Sequence, residues 1–186
     1  QVETLQWSQA DGQDVLDPTR DLIVSPAVFT LPAKGTQLVR VALRRDPDAR
    51  RELSYRLVVQ EVPPAPGPGF MGLQVALRMS LPVFVAAMGP SPARLEWSAA
   101  REPDGALAVT AHNPSDTHAR VLSFSVTPAT GTAAAFDQPV AAYLLPGQSR
   151  RWHFGAGGTA GGGAPRYQLL GRTDAGEFTA ELPIAQ

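Results

Sequence analysis

The chain has 186 residues, enough for one large domain or for two of roughly 90–100 residues, each with a core of its own. A formal net charge of -1 gives no electrostatic case for nucleic acid or an anionic membrane as partner. The absence of cysteine removes disulfide frameworks, thiolate metal sites and cysteine nucleophiles.

No uninterrupted apolar run approaches the ~20 residues of a membrane-spanning helix, so membrane insertion is not expected. Eighteen prolines and 17 glycines punctuate the whole length, and short alternating runs lie between them. That pattern predicts an all-β protein of sandwich type.

In chain order, Val2 to Ser8 reads as a strand and Gln9 to Gly12 as the turn after it. A strand at the second residue, with no secretory signal before it, suggests a trimmed front and a preceding partner strand that is not included. Asp21 to Val24 and Val28 to Leu31 are short apolar pieces around Ser25 and Pro26. Thr36 to Leu43 alternates, and if Leu38 and Ala42 face inward then Arg40 does too, where it needs a carboxylate partner. Asp46 to Arg51 is a charged loop and Glu52 to Val62 another strand.

Pro63 to Phe70 is a turn too short for a helix, so the next strand is expected to return antiparallel beside Glu52 to Val62. That next strand, Leu73 to Val85, is the most informative stretch. Its odd positions are all apolar, and at ~3.3 Å per residue it extends roughly 43 Å against the usual 5–6 residues of a strand. A domain of ordinary size does not cover such a stripe, which leaves part of it for another polypeptide. The competing reading is that the stripe faces its own core.

Gly89 to Pro92 is the linker candidate, giving domains over 1–88 and 94–186 with a linker over 89–93. Beyond it, Arg94 to Ala100 and Ala106 to His112 flank a hairpin turn at Asp104 and Gly105. Asn113 to Asp116 is a second turn. Val121 to Val126, Val140 to Leu144, Ser149 to Phe154, Arg166 to Leu170 and Phe178 to Ile184 complete a second sandwich.

Catalytic chemistry is not expected. The glycine-rich run Gly155 to Gly163 leads into another strand rather than a helix N-terminus, so it reads as a hairpin loop and not a phosphate cradle. His112, His118 and His153 lack ligand spacing, which leaves no metal site. No nucleophile elbow and no paired carboxylates stand out. Trp7, Trp97 and Trp152 read as core aromatics.

Several segments in order resemble the first domain of periplasmic pilus-assembly chaperones. They are Ser25 to Leu31, Gly35 to Val41, Glu52 to Leu57 with Glu61 to Pro63, and Leu73 to Leu77 with Phe84. Leu95 to Trp97, Asn113-Pro114 and Leu145 to Gly147 extend the likeness into the second half. Trp7 to Gln9 with Gly12 is similar to the archaic branch of that family.

The resemblance implies two immunoglobulin-like β-sandwich domains in an L or boomerang. In such proteins the chaperone lends a strand to a pilin subunit that lacks one, without ATP or any other cofactor. The lent strand would be about 72–86, with Leu73, Val75, Leu77, Met79 and Leu81 inserted into the pilin. The subunit would pass to an outer-membrane usher, and the empty protein would hide its sticky strand in a self-capping homodimer or beside a disordered Pro63 to Phe70 loop. An interdomain ionic triad is implied at Arg40, Glu52 and Asp174.

Rod-pilus chaperones anchor the pilin carboxylate with an arginine on a first strand, absent here, and a lysine whose position falls on Pro82. Arg78 or Arg94 are the substitutes this leaves. The alternative to a chaperone is a two-domain immunoglobulin-like adhesion or structural module in which the long strand is internal. A third reading, a hydrolase with its site in the interdomain cleft, names no nucleophile or base.

Overall fold

A computed structural model describes residues 1–64, 67, 69, 71–89, 92–129, 136–154 and 166–185, with the backbone alone at 136–139 and 185. The expected glycine-rich loop, the linker positions Pro90 and Ser91, and much of the turn from Pro63 to Phe70 lie outside the described residues. All regular structure among those described is β, as the alternation predicts.

β1 (Val2–Ala10) and β2 (Gln13–Pro18) form a hairpin whose two loop residues, Asp11 and Gly12, both have positive φ, 52° and 74°. That is the type I′ geometry whose twist matches paired strands, and an Asp-Gly pair suits it. The sequence reading placed this turn but took no strand after it. Every residue of β2 is exposed, so the segment carries no apolar period to read.

β3 (Leu22–Ser25) and β4 (Arg40–Leu43) pair as a separate two-stranded ribbon. β5 (Leu53–Gln60) and β6 (Arg78–Val85) complete a four-stranded sheet in the order β2-β1-β5-β6. The Tyr55 hydroxyl donates to Asp21 Oδ2 at 2.8 Å, tying the sheet to the residue before the ribbon. Burial, and then that carboxylate, push the Tyr55 phenol up to about 12.

The second domain comprises β7 (Glu96–Arg101), β8 (Leu107–His112), β9 (Ala119–Pro128), β10 (Phe136–Leu144), β11 (Ser149–Phe154), β12 (Arg166–Thr173) and β13 (Gly176–Ala185). One layer runs β10-β9-β12-β13 and the other β7-β8-β11. The end of β13 crosses between them, where Ile184 and Ala185 pair parallel with Ala99 and Ala100. Leu107, Val109, Val121, Phe124, Leu169 and Leu182 fill the space between the layers. Gly171 allows close packing there, because a Cβ on it would sit 2.4 Å from Phe178 Cζ.

Asn113, fully buried, organises the turn at the near end of this domain. Its Nδ2 donates to the carbonyls of Thr117 and Leu144, both at 2.9 Å, and its Oδ1 accepts from the Ser115 N–H. A buried amide satisfied on both sides fixes the loops that meet the first domain.

Candidate functional site

The long alternating segment is paired over only part of its length. β6 pairs β5 from Arg78↔Gln60 to Val85↔Leu53, one further backbone bond joins Glu61 to Leu77, and 73–76 run on past it. Prolines 63 and 64, opposite the overhang, have no N–H to give to a ladder. The expectation of one continuous strand from Leu73 is therefore corrected to a paired strand with an unpaired extension.

β6 lies at the edge of its sheet. The Glu61 N–H donates to the Leu77 carbonyl at 2.9 Å, which makes the 61/77 position a hydrogen-bonded pair. By the alternation of an antiparallel ladder, odd residues of β6 then turn their backbone groups to β5, and Arg78, Ser80, Pro82 and Phe84 turn theirs to the free edge. The nitrogen of Pro82 faces that edge and costs the β5–β6 ladder nothing.

The side chains of the odd residues make one face. Met79 stands beside Val59 and Val59 beside Val2, with Leu81 beside Leu57. This face is not sealed: Leu73 is 89%, Val75 76%, Leu77 53%, Met79 43% and Leu81 47% exposed. The alternative of a stripe internal to its own domain does not describe these five residues. A groove of about 600 Å³ opens alongside, lined by Val28, Leu31, Val59, Val62, Leu77 and Met79 among others.

The other end of β6 is locked against the second domain. Phe84 stacks on His118 with ring centroids 3.5 Å apart and planes 7° from parallel. Trp7 completes an aromatic cluster, 5.7 Å from Phe84 and 5.3 Å from Tyr143, with the Arg56 guanidinium 3.6 Å above it. Burial lowers the Arg56 pKa, and Asp14 at 3.8 Å opposes that effect. Gln9 adds two bonds across the junction, giving its amide to the Tyr143 carbonyl and accepting from the Leu145 N–H.

Glu52 is buried at this junction, but not with the partners expected. Its Oε1 accepts from His118 Nδ1 at 2.7 Å and from the His118 backbone N–H at 3.2 Å, while its own N–H donates to the Asp116 carbonyl. Accepting at that distance, Glu52 places a proton on His118 Nδ1. Arg40 is exposed at the start of β4, opposite Ser25, and Asp174 accepts from the Arg120 N–H in the turn between β12 and β13. The triad of Arg40, Glu52 and Asp174 is thus not assembled.

The inference for Arg40 fails at its premise, since Leu38 and Ala42 are themselves exposed. His118 is the functional residue the sequence reading passed over. It lies 66 residues from Glu52, and no local spacing links them. Of the two carboxylate-anchor candidates, Arg78 lies 3.7 Å from Glu3, and Arg94 is exposed with its N–H on Ser115 Oγ at 2.6 Å.

Residues 1–90 match the family described as "Pili and flagellar-assembly chaperone, PapD N-terminal domain". The first domain of the chain is thus similar to that of the pilus-assembly chaperones. Solved chaperone structures share its fold over both domains. The chain is similar to one in the CsuC–CsuE chaperone–tip adhesion subunit pre-assembly complex, from the archaic chaperone-usher Csu pili of Acinetobacter baumannii. The identity there is 20% and the TM-score 0.66, covering 100% of this chain and 85% of that one.

It is also similar to the E. coli chaperone DraB, at 18% identity and TM-score 0.60, covering 97% of this chain and 81% of that one. A chain in the Salmonella enterica complex of SafA pilin with the SafB chaperone matches at 18% and 0.58, over 98% and 81%. No curated protein sequence matches the chain.

Proposed function

We propose that this protein is a periplasmic chaperone that binds pilin subunits by lending them the free edge of β6 and its overhang. The observation that carries the reading is an apolar stripe, Leu73 to Leu81, exposed along an unpaired strand edge in a domain of the pilus-assembly chaperone family. An exposed apolar edge is a template for strand addition and a hazard when left bare, so a dedicated partner is its natural explanation. The chaperone–pilin complexes among the structural neighbours support the choice of partner.

Backbone groups at Arg78 and Ser80 hold the subunit whatever its sequence, while Leu73, Val75, Leu77, Met79 and Leu81 enter its open core. Each side chain fully buried contributes about 1.5–3 kcal/mol of transfer free energy, before the costs of ordering and association. Several together make a stable complex without nucleotide or catalysis. Release follows when the next subunit's own extension displaces the lent strand at an outer-membrane usher. Arg94, exposed beside the linker, is the better placed anchor for a terminal carboxylate, because Arg78 already has Glu3 as a neighbour.

Co-expression with a pilin subunit that has no free donor strand tests this. A one-to-one complex that survives purification and is lost on Leu77→Asp with Met79→Asp is expected. A complex that forms equally well with both substitutions refutes the strand-lending role.

A further inference from the structure

The overhang lies beyond the last backbone bond of the ladder, from the Glu61 N–H to the Leu77 carbonyl, yet it stays alongside the end of β5. The Leu77 N–H donates to Glu61 Oε2 at 2.9 Å, a carboxylate standing where a ladder would use the Glu61 carbonyl. Three residues earlier, Gln74 Nε2 donates to the Pro64 carbonyl, also at 2.9 Å. Between these two bonds the facing chain is Val62-Pro63-Pro64, which has no N–H at its two prolines and cannot hold the overhang by backbone pairing. Side chains do what the backbone there cannot.

We infer that Glu61 and Gln74 are positioning residues that keep the overhang extended in the empty protein, presenting Leu73, Val75 and Leu77 before a partner arrives. Glu61 lines the same groove as Leu77 and Met79, so its carboxylate sits at the root of the presented segment. Its bond to Leu77 is charge-assisted, the stronger kind. It uses an odd-numbered amide, on the β5 side, and leaves the outward amides of Ala76 and Arg78 free for an incoming strand. The consequence for capture rests on the proposed strand-lending role, because a strand already ordered lowers the entropy cost of docking.

Amide hydrogen exchange on the full chain tests the positioning without any partner. In Glu61→Ala, the Leu77 amide, read from overlapping peptides across 73–78, is expected to exchange about tenfold faster than in the wild type, the change that corresponds to about 1.4 kcal/mol. Peptides from β1 and from the second domain should stay unchanged. Glu61→Gln, which keeps an acceptor oxygen, should restore most of the protection, and Gln74→Ala should accelerate exchange of the Leu77 amide to a smaller degree. Exchange of the Leu77 amide within twofold of wild type in Glu61→Ala, or acceleration spread equally through β1, overturns the inference.

A second measurement keeps the two ideas apart. Capture of a pilin subunit without a donor strand should be several-fold slower with Glu61→Ala, while the side chains that enter the subunit are unchanged. A wild-type chain that captures no pilin but shows the expected exchange pattern refutes the function and leaves the positioning role standing. Normal capture with unaltered exchange in Glu61→Ala refutes the positioning role alone.

Discussion

Replacing His118 by alanine removes two contacts at once from the junction of the domains. The first is the ring stacked on Phe84 at 3.5 Å, of a kind that contributes about 0.5–1.5 kcal/mol. The second is the 2.7 Å bond to Glu52, whose side chain is only 6% exposed. Hydrogen bonds to a charged group contribute about 1.5–3 kcal/mol, and a carboxylate that loses its partner while staying buried remains at the high end of that range. The His118 backbone N–H still reaches Glu52 at 3.2 Å, which moderates the loss. Because the contacts share one ring, they do not add fully, and about 2–4 kcal/mol is expected.

Denaturant unfolding followed separately at the junction and in the second-domain core should report it, since a two-domain chain need not unfold in one step. Small-angle scattering should show a broader interdomain distribution. Phe84→Leu, which spares the Glu52–His118 bond, should cost less than His118→Ala. A double-mutant cycle between Glu52→Gln and His118→Ala should give a coupling of at least about 1 kcal/mol. Stability within about 0.5 kcal/mol of wild type, together with a superimposable scattering profile, would falsify the latch.

Leu77→Asp and Met79→Asp should leave thermal stability within about 0.5 kcal/mol of wild type, since both side chains are already exposed. Asn113→Ala should destabilise the chain by about 2–4 kcal/mol in chemical denaturation, because it strands the Thr117 and Leu144 carbonyls and the Ser115 N–H. Gly171→Ala forces a methyl to within 2.4 Å of the Phe178 ring and should cost about 1–3 kcal/mol, with the near-ultraviolet signal of the aromatic cluster altered. The Tyr55 phenol, raised from its usual 10 to about 12, stabilises the fold in its neutral form. That stabilisation is complete below pH 10 and is lost as the pH rises towards 12. Tyr55→Phe should flatten this alkaline decline in an unfolding series, and an equally steep decline would assign it elsewhere.

What could be read from the sequence followed from whether the signal was local. The period-two stripe from Leu73 to Val85 is a local pattern, and it found the exposed edge. Where pairing stops within that stripe depends on the facing prolines 63 and 64, which a reading of one strand at a time does not weigh. β2 was passed over because an edge strand with both faces in water has no apolar period. Its signal lay instead in the Asp11-Gly12 turn, which demands a second strand after it.

The partner of Glu52 is a different matter. Alternation placed a buried charge at Arg40, which is exposed, while the charge that is buried is Glu52, named only by the family likeness. Which residue meets it depends on how the second domain docks, and that brings His118 to Glu52 across 66 positions. Family likeness pointed to Arg40 and Asp174 instead, and the exposure of Leu38 and Ala42 shows why alternation could not correct it.

The two domains differ in how they treat their apolar surface, and that difference explains how one strand can be left bare. Leu170 is the only exposed large hydrophobic side chain among the described residues of the second domain, whereas the first domain exposes a whole stripe. An uncovered stripe on a loose segment would collapse on the chain's own surface or pair with any exposed edge. Here the segment is held at both ends, by Phe84 against His118 and by Leu77 against Glu61, with the β5 ladder between them. Its ordering therefore belongs to the folding of the chain and not to the encounter with a partner. Loosening either end should slow capture without altering a residue that enters the partner. Substitutions in the second-domain core should lower stability first and affect capture only through it.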